Sequence, residues 1–194
     1  MSALVVAALA EEVAHVNGVE VLVTGVGKAV AASALARRLA SADRPSLVVN
    51  VGTAGALRAG MQGVIEIDHV TQHDFPYAAI ELLAGPVDRG YHLRPDQAPL
   101  PVAAFPPGAT VLATGDVFVA DPGRAAEIAA AGVALVDMEG FAYAAACASF
   151  GIPMRCVKAV SDSADDDAGA SWLDRIDACA TDLAAWVVRH IEGS

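Results

Sequence analysis

Basic residues and cysteines are scarce in this 194-residue chain: 12 Lys and Arg stand against 23 Asp and Glu, and there are 3 cysteines. The formal charge of −11 opposes binding to nucleic acid or to an anionic membrane surface, and no Lys/Arg-rich run offsets it locally. Cys147, Cys156 and Cys179 have no CxxC spacing and lie in apolar surroundings, which predicts reduced, buried thiols in a cytoplasmic protein. Apolar runs stop short of the roughly 20 residues a membrane helix needs. Glu11 and Glu12 interrupt the first apolar stretch where a signal peptide would continue, so export is not expected. Zinc-like His/Cys spacing is missing, and the Asp165 to Asp167 run lacks the spaced carboxylates and glycine of a calcium loop, so it reads as a solvated loop. No metal and no organic cofactor is expected. What is abundant is apolar: 55% of residues are hydrophobic, enough for one core, and the length suits one domain over residues 1–194. A small-molecule enzyme is the favoured broad class.

Short β-branched runs predict strands at Leu4 to Ala8, Val19 to Thr24, Leu47 to Val51, Gly63 to Val70, Thr110 to Thr114, Ala134 to Met138 and Met154 to Val160. Several are apolar on both faces, as buried sheet strands are. Alanine-rich stretches of helical length separate them, at Lys28 to Ala42, Gly123 to Ala131, Glu139 to Phe150 and Ser171 to Glu192. Gly132, and Gly151 with Pro153 after it, mark helix ends. The alternation predicts an α/β fold, a three-layer α/β/α sandwich around a twisted, mostly parallel or mixed sheet. Gln72 to Gly108 holds seven of the ten prolines and reads as a long irregular loop, too proline-dense for a regular element.

Three strand ends carry glycine: Gly25-Val26-Gly27-Lys28, Gly52-Thr53-Ala54-Gly55 and Gly115-Asp116. Glycine lets backbone approach a ligand, and ligands of open α/β sheets bind beyond the carboxyl ends of strands. Val30 stands where a dinucleotide fingerprint needs its third glycine, and Gly27-Lys28 lacks the rest of a P-loop. Acids cluster at the same ends: Glu11-Glu12, Asp137-Met138-Glu139 and Ser161-Asp162. Desolvation there suits general acid or base work, although Glu11, Glu12 and Glu139 also fit as partners of helix dipoles. His73-Asp74 could touch a substrate, but a surface histidine beside a loop acid is the favoured reading.

Val136-Asp137-Met138-Glu139-Gly140-Phe141-Ala142, followed by Val160-Ser161-Asp162-Ser163-Ala164-Asp165, resembles the paired signatures of the nucleoside phosphorylase and nucleosidase superfamily. Ala8-Leu9-Ala10-Glu11-Glu12-Val13, Gly25-Val26-Gly27-Lys28, Val51-Gly52-Thr53-Ala54-Gly55 and Thr114-Gly115-Asp116-Val117-Phe118 match in the same order. The resemblance covers nearly the whole chain and is closest to the methylthioadenosine/S-adenosylhomocysteine nucleosidase branch. It implies cleavage of a purine N-glycosidic bond through an oxocarbenium-like transition state. Asp162 would protonate the leaving purine, with Ser161 helping to orient it. Glu12 would activate water as co-substrate, and Glu139 would bind the ribose hydroxyls with Met138 packed on the sugar. Phe118 would stack on the base and the Val119 backbone would read its edge. Leu9, Thr53, Ala54 and Gly55 would contact the nucleoside, and Trp172 would stand near its 5′ substituent or serve as an ordinary core aromatic. A homodimer is implied as well.

Phosphorolysis would require arginine for a phosphate dianion, and Arg58 and Lys28 are the only basic residues near these motifs, so hydrolysis is favoured. A phosphorylase, or a non-catalytic nucleoside-binding protein, remain the alternatives. Two departures stand out: only Ala14 to Glu20 separates the Glu12 segment from the next strand, and Gln72 to Gly108 diverges where the nucleosidases form their dimer and close the neighbour's 5′ pocket.

Overall fold

The computed structural model describes residues 2–164 and 168–192; the Asp165 to Asp167 run lies outside them. Among the described residues a ten-stranded mixed sheet forms the centre. Its first strands are β1 (Ala3–Ala7), β2 (Glu20–Val23) and β3 (Leu47–Ala56), and α1 (Lys28–Leu39) connects the last two. β1 pairs in parallel with both β2 and β3. On its other side β3 pairs in parallel with β10 (Met154–Asp162), and its last two residues pair antiparallel with β9 (Leu135–Asp137). The sheet continues through β8 (Val111–Thr114) and β5 (His69–Gln72), both parallel within that half, to the antiparallel hairpin of β6 (Gly90–Arg94) and β7 (Gln97–Val102). β4 (Val64–Glu66) pairs antiparallel with β10.

Strands apolar on both sides explain the layering, because alternate residues feed opposite cores. Leu4, Val6 and Val48 face a cluster completed by Ala31, Leu35 and Leu39 of α1 and by Tyr143 and Cys147 of α4 (Gly140–Phe150). Val5, Ala7, Val49 and Val51 face Cys179, Leu183 and Val187 of α5 (Ala168–Val187). Each such buried leucine contributes about 1.5–3 kcal/mol. α3 (Pro122–Ala130) begins where Asp121 accepts a hydrogen bond from the Arg124 amide and proline occupies the first turn. α4 ends at Gly151, whose φ of 69° is left-handed. No described helix is long and apolar enough to cross a membrane.

Two expectations fail here. Gly63 to Val70 is not one strand but β4 and β5, separated at Ile67 and Asp68. The proline-rich Gln72 to Gly108 stretch is not irregular: it contains α2 (Tyr77–Ala84), β6 and β7. β7 carries Pro99 and Pro101 because it is an edge strand. The Val102 carbonyl accepts from the Arg89 amide, so the backbone groups of Val102 and, by alternation, Leu100 face the hairpin partner while the nitrogens of both prolines point away from β6, where no ladder donor is needed.

Candidate active site

A cavity of about 190 Å³ lies against the carboxyl ends of β1, β8, β9 and β10 and the last third of β3. Each wall has a local cause. After β1 the chain enters a 3-10 turn at Glu11–Val13, which turns Glu12 inward to 5% exposure while Glu11 stays outside. The short segment after Glu12 leaves that turn packed on α5, and Glu12 is held by three donors. The Thr53 amide and Thr53 Oγ1 donate to its Oε1 at 2.8 and 2.9 Å, and the Leu9 amide donates to its Oε2 at 3.1 Å. Trp172 Nε1 donates to Thr53 Oγ1 at 2.9 Å, extending the chain to α5.

At the end of β10 the register with β3 shifts between Val160 and Asp162. Such a bulge re-aims side chains, here those of Ser161 and Asp162, both buried. Ser161 Oγ donates to Asp162 Oδ2 at 2.7 Å and the Ala164 amide donates to Oδ1 at 2.9 Å. Gly55 makes this possible, because a Cβ there would stand 2.7 Å from Asp162 Oδ1. Gly52 plays the same part for Glu12: a Cβ would lie 3.1 Å from Glu12 Oε1 and 3.2 Å from Lys158 Nζ.

Glu139 sits between β9 and α4, and its Oε1 accepts from the Gly27 amide at 2.7 Å. Burial, with Asp137 nearby, pushes its carboxyl up to about 7, against the opposing pull of Lys158 and the Gly27 hydrogen bond. Asp137 is bound more tightly. Its Oδ1 accepts from Thr114 Oγ1 at 2.6 Å, and its Oδ2 accepts from the Gly140 amide at 2.8 Å and meets Lys158 Nζ at 2.9 Å. Burial opposes the charge on Lys158, but Asp137 and the carboxylates of Glu12 and Glu139 outweigh it and hold the ammonium above its ordinary value.

All twelve residues singled out in the sequence line this cavity: Glu12, Glu139, Asp162, Leu9, Thr53, Ala54, Gly55, Phe118, Val119, Met138, Ser161 and Trp172. Phe118 is half exposed and forms an apolar lip with Val26 and Val117, whereas Val119 is buried. Sequence reasoning missed the Lys158 partnership; the available signal was a lysine at the centre of the apolar run Cys156 to Val160. It also misread His73, which is no surface histidine: both its ring nitrogens are buried without a partner, and burial pushes its imidazole down. Its neighbour Asp74 is tied to Lys28 Nζ at 2.5 Å. Arg58 donates to the Gly132 carbonyl, so neither Lys28 nor Arg58 reaches the cavity. Among the described lining residues four are acidic and none is basic.

Known proteins resemble this chain in sequence and in fold. A family model described as the phosphorylase superfamily matches residues 8–192. A 5′-methylthioadenosine/S-adenosylhomocysteine nucleosidase of Exiguobacterium is 31% identical over 88% of this chain and 78% of its own length. One from Actinobacillus succinogenes is 35% identical, over 81% and 74%. In fold, a Helicobacter pylori MTAN mutant with 5′-methylthioadenosine in its active site superposes with a TM-score of 0.82 at 17% identity, covering 100% of this chain and 99% of the other.

Proposed function

This chain belongs to the phosphorylase superfamily, and from that premise we propose that it is a purine nucleosidase. It hydrolyses the N-glycosidic bond of a 5′-modified adenosine such as methylthioadenosine or S-adenosylhomocysteine and releases the free base. Relatives carrying that name support the substrate class. The observation that carries hydrolysis over phosphorolysis is the charge of the cavity: Glu12, Asp137, Glu139 and Asp162 line it with no described basic residue beside them. A phosphate dianion there would meet carboxylates and no arginine, whereas an oxocarbenium-like sugar is stabilised by them.

We assign the roles as the family resemblance implies them, and the positions support the assignment. Asp162, buried at one end with the Ser161 hydroxyl on its Oδ2, gives its proton to the leaving purine. Phe118 and Val119 receive the base at the lip. Glu12, oriented by Leu9 and Thr53, takes a proton from water as that water attacks the anomeric carbon. Glu139 accepts from the ribose hydroxyls while Met138 packs on the sugar. Trp172, linked to Thr53, borders the region of the 5′ group. The reading includes a cytoplasmic homodimer: α2 buries no residue, and its Leu82 and Leu83 are 87% and 82% exposed, an apolar surface suited to a second copy.

Chromatography of free base from a panel of purine nucleosides, with and without phosphate, tests the proposal. Release of adenine from 5′-thio-substituted adenosines without phosphate is expected. Turnover strictly dependent on phosphate would make the protein a phosphorylase, and tight binding without release would make it a binding protein.

A further inference from the structure

The proposed reaction leaves one pair of buried charges without a task. Lys158 on β10 is 2% exposed, does not line the cavity, and among the described residues its only ion pair is with Asp137. Asp137 is fixed independently of it by donors from two other elements, Thr114 Oγ1 on β8 and the Gly140 amide opening α4. Thr114 Oγ1 in turn accepts from the Phe141 amide. Lys158 Nζ and Glu12 Oε1 nevertheless approach the same point, the place where a Cβ of Gly52 would stand. The ammonium is therefore a near neighbour of Glu12 without forming an ion pair with it.

We propose that Asp137 is a positioning residue for hydrolysis: by holding the Lys158 ammonium, it keeps that cation close enough to balance the charge of Glu12 but out of contact with it. The inference rests on the reading of Glu12 as the water-activating carboxylate. A buried carboxylate in contact with a lysine has its charge bound up in the pair and is a weaker base; one with no cation nearby gives up its charge to a proton instead. An intermediate separation avoids both, and it needs a second acid to anchor the lysine. Asp137 is that acid, and Gly52 leaves the room that separates the charges.

The groups facing the pair are Glu12 from the 3-10 turn, Glu139 ahead of α4, Tyr143 from α4, Cys156 on β10 and His73 after β5. Burial pushes Cys156 up to about 12 and raises Tyr143 as well, so neither titrates in the working range. Glu139 responds in the same direction as Glu12, since Asp137 raises it and Lys158 lowers it.

The test is the pH dependence of kcat/KM, which reports groups of the free enzyme, in Asp137→Asn and Lys158→Met. Asp137→Asn frees the lysine to pair with Glu12: the acid limb moves down by about one pH unit while the plateau falls about tenfold or more. Lys158→Met removes the cation, so the limb moves up by a similar amount and activity returns as pH rises. Asp137→Glu and Lys158→Arg keep the charges and leave the limb in place. Opposite displacements together with the tenfold fall of the Asp137→Asn plateau, in protein shown by circular dichroism to be folded, support the proposal; opposite displacements with an unchanged Asp137→Asn plateau overturn it, because the effect of either charge on Glu139 alone would produce them. Limbs that stay put, or move the same way in both variants, overturn it. If Asp137→Asn does not fold, Lys158→Met against Lys158→Arg decides, and an unmoved limb in Lys158→Met overturns it. A wild-type protein that releases no base defeats the nucleosidase reading itself, an outcome separate from any of these.

Discussion

The cavity and the stretch from residue 72 to 108 both bring polar groups inside, and they treat them differently. Around the cavity every carboxylate meets donors: Glu12 from Thr53, Glu139 from Gly27, Asp137 from Thr114 and Lys158, and Asp162 from Ser161 and Ala164. In and beside the later stretch, the ring nitrogens of His73 and Nδ1 of His69 are buried without partners, and α2 buries nothing. Satisfied buried groups fix one geometry, and unsatisfied ones cost free energy until something meets them. The first region thus has its carboxylates partnered within the chain, whereas the second combines buried ring nitrogens that lack a partner among the described residues with an exposed apolar helix.

Substitutions can break that contrast. The largest effect is expected at Asp162→Asn, where base release should fall about 10²- to 10⁴-fold with an unchanged circular dichroism spectrum; an unaltered rate would remove Asp162 from the mechanism. Next is Glu139→Gln. Its carboxyl stands at about 7 in the fold against an ordinary value of 4.5, so the folded state binds the proton more tightly than the unfolded chain. The stability Glu139 contributes is full below pH 4.5, is lost as pH rises to 7, and stays lost above. Glutamine removes that penalty, and thermal melts should show the variant gaining up to roughly 3 kcal/mol at pH 8 and little at pH 4, alongside reduced turnover. Gly52→Ala presses a methyl against Glu12 and Lys158; overpacking of this kind costs about 1–3 kcal/mol in urea titrations. The smallest is Leu82→Ser with Leu83→Ser, which should change subunit stability by no more than about 0.5 kcal/mol yet shift sedimentation toward the monomer. A large loss of subunit stability there would show that α2 is not the free surface described.

The same contrast governs how much could be read without coordinates. Glu12 and Asp162 were legible as candidates because a glycine beside each enters the motifs: a Cβ on Gly55 would stand 2.7 Å from Asp162 Oδ1 and one on Gly52 3.1 Å from Glu12 Oε1. Lys158 was not, since its partner Asp137 lies on a different strand and pairing across a sheet leaves no mark along the chain. Proline density misled in the stretch after Gln72 because the objection to proline holds for strands flanked on both sides, and β7 has a neighbour on only one. His73 was misjudged because its burial comes from Gly115, distant in sequence, whose missing side chain leaves room for the ring.

The outward prolines of β7 have a consequence for assembly. An exposed strand ordinarily offers a row of free amides on which another chain can add itself, the route to continuous intermolecular sheets and to aggregates. Pro99 and Pro101 remove two of those amides from this border, so addition of a further strand along β7 is disfavoured. The exposed apolar surface of α2 is a side-chain face, and association through such a face is closed by symmetry rather than propagated strand by strand.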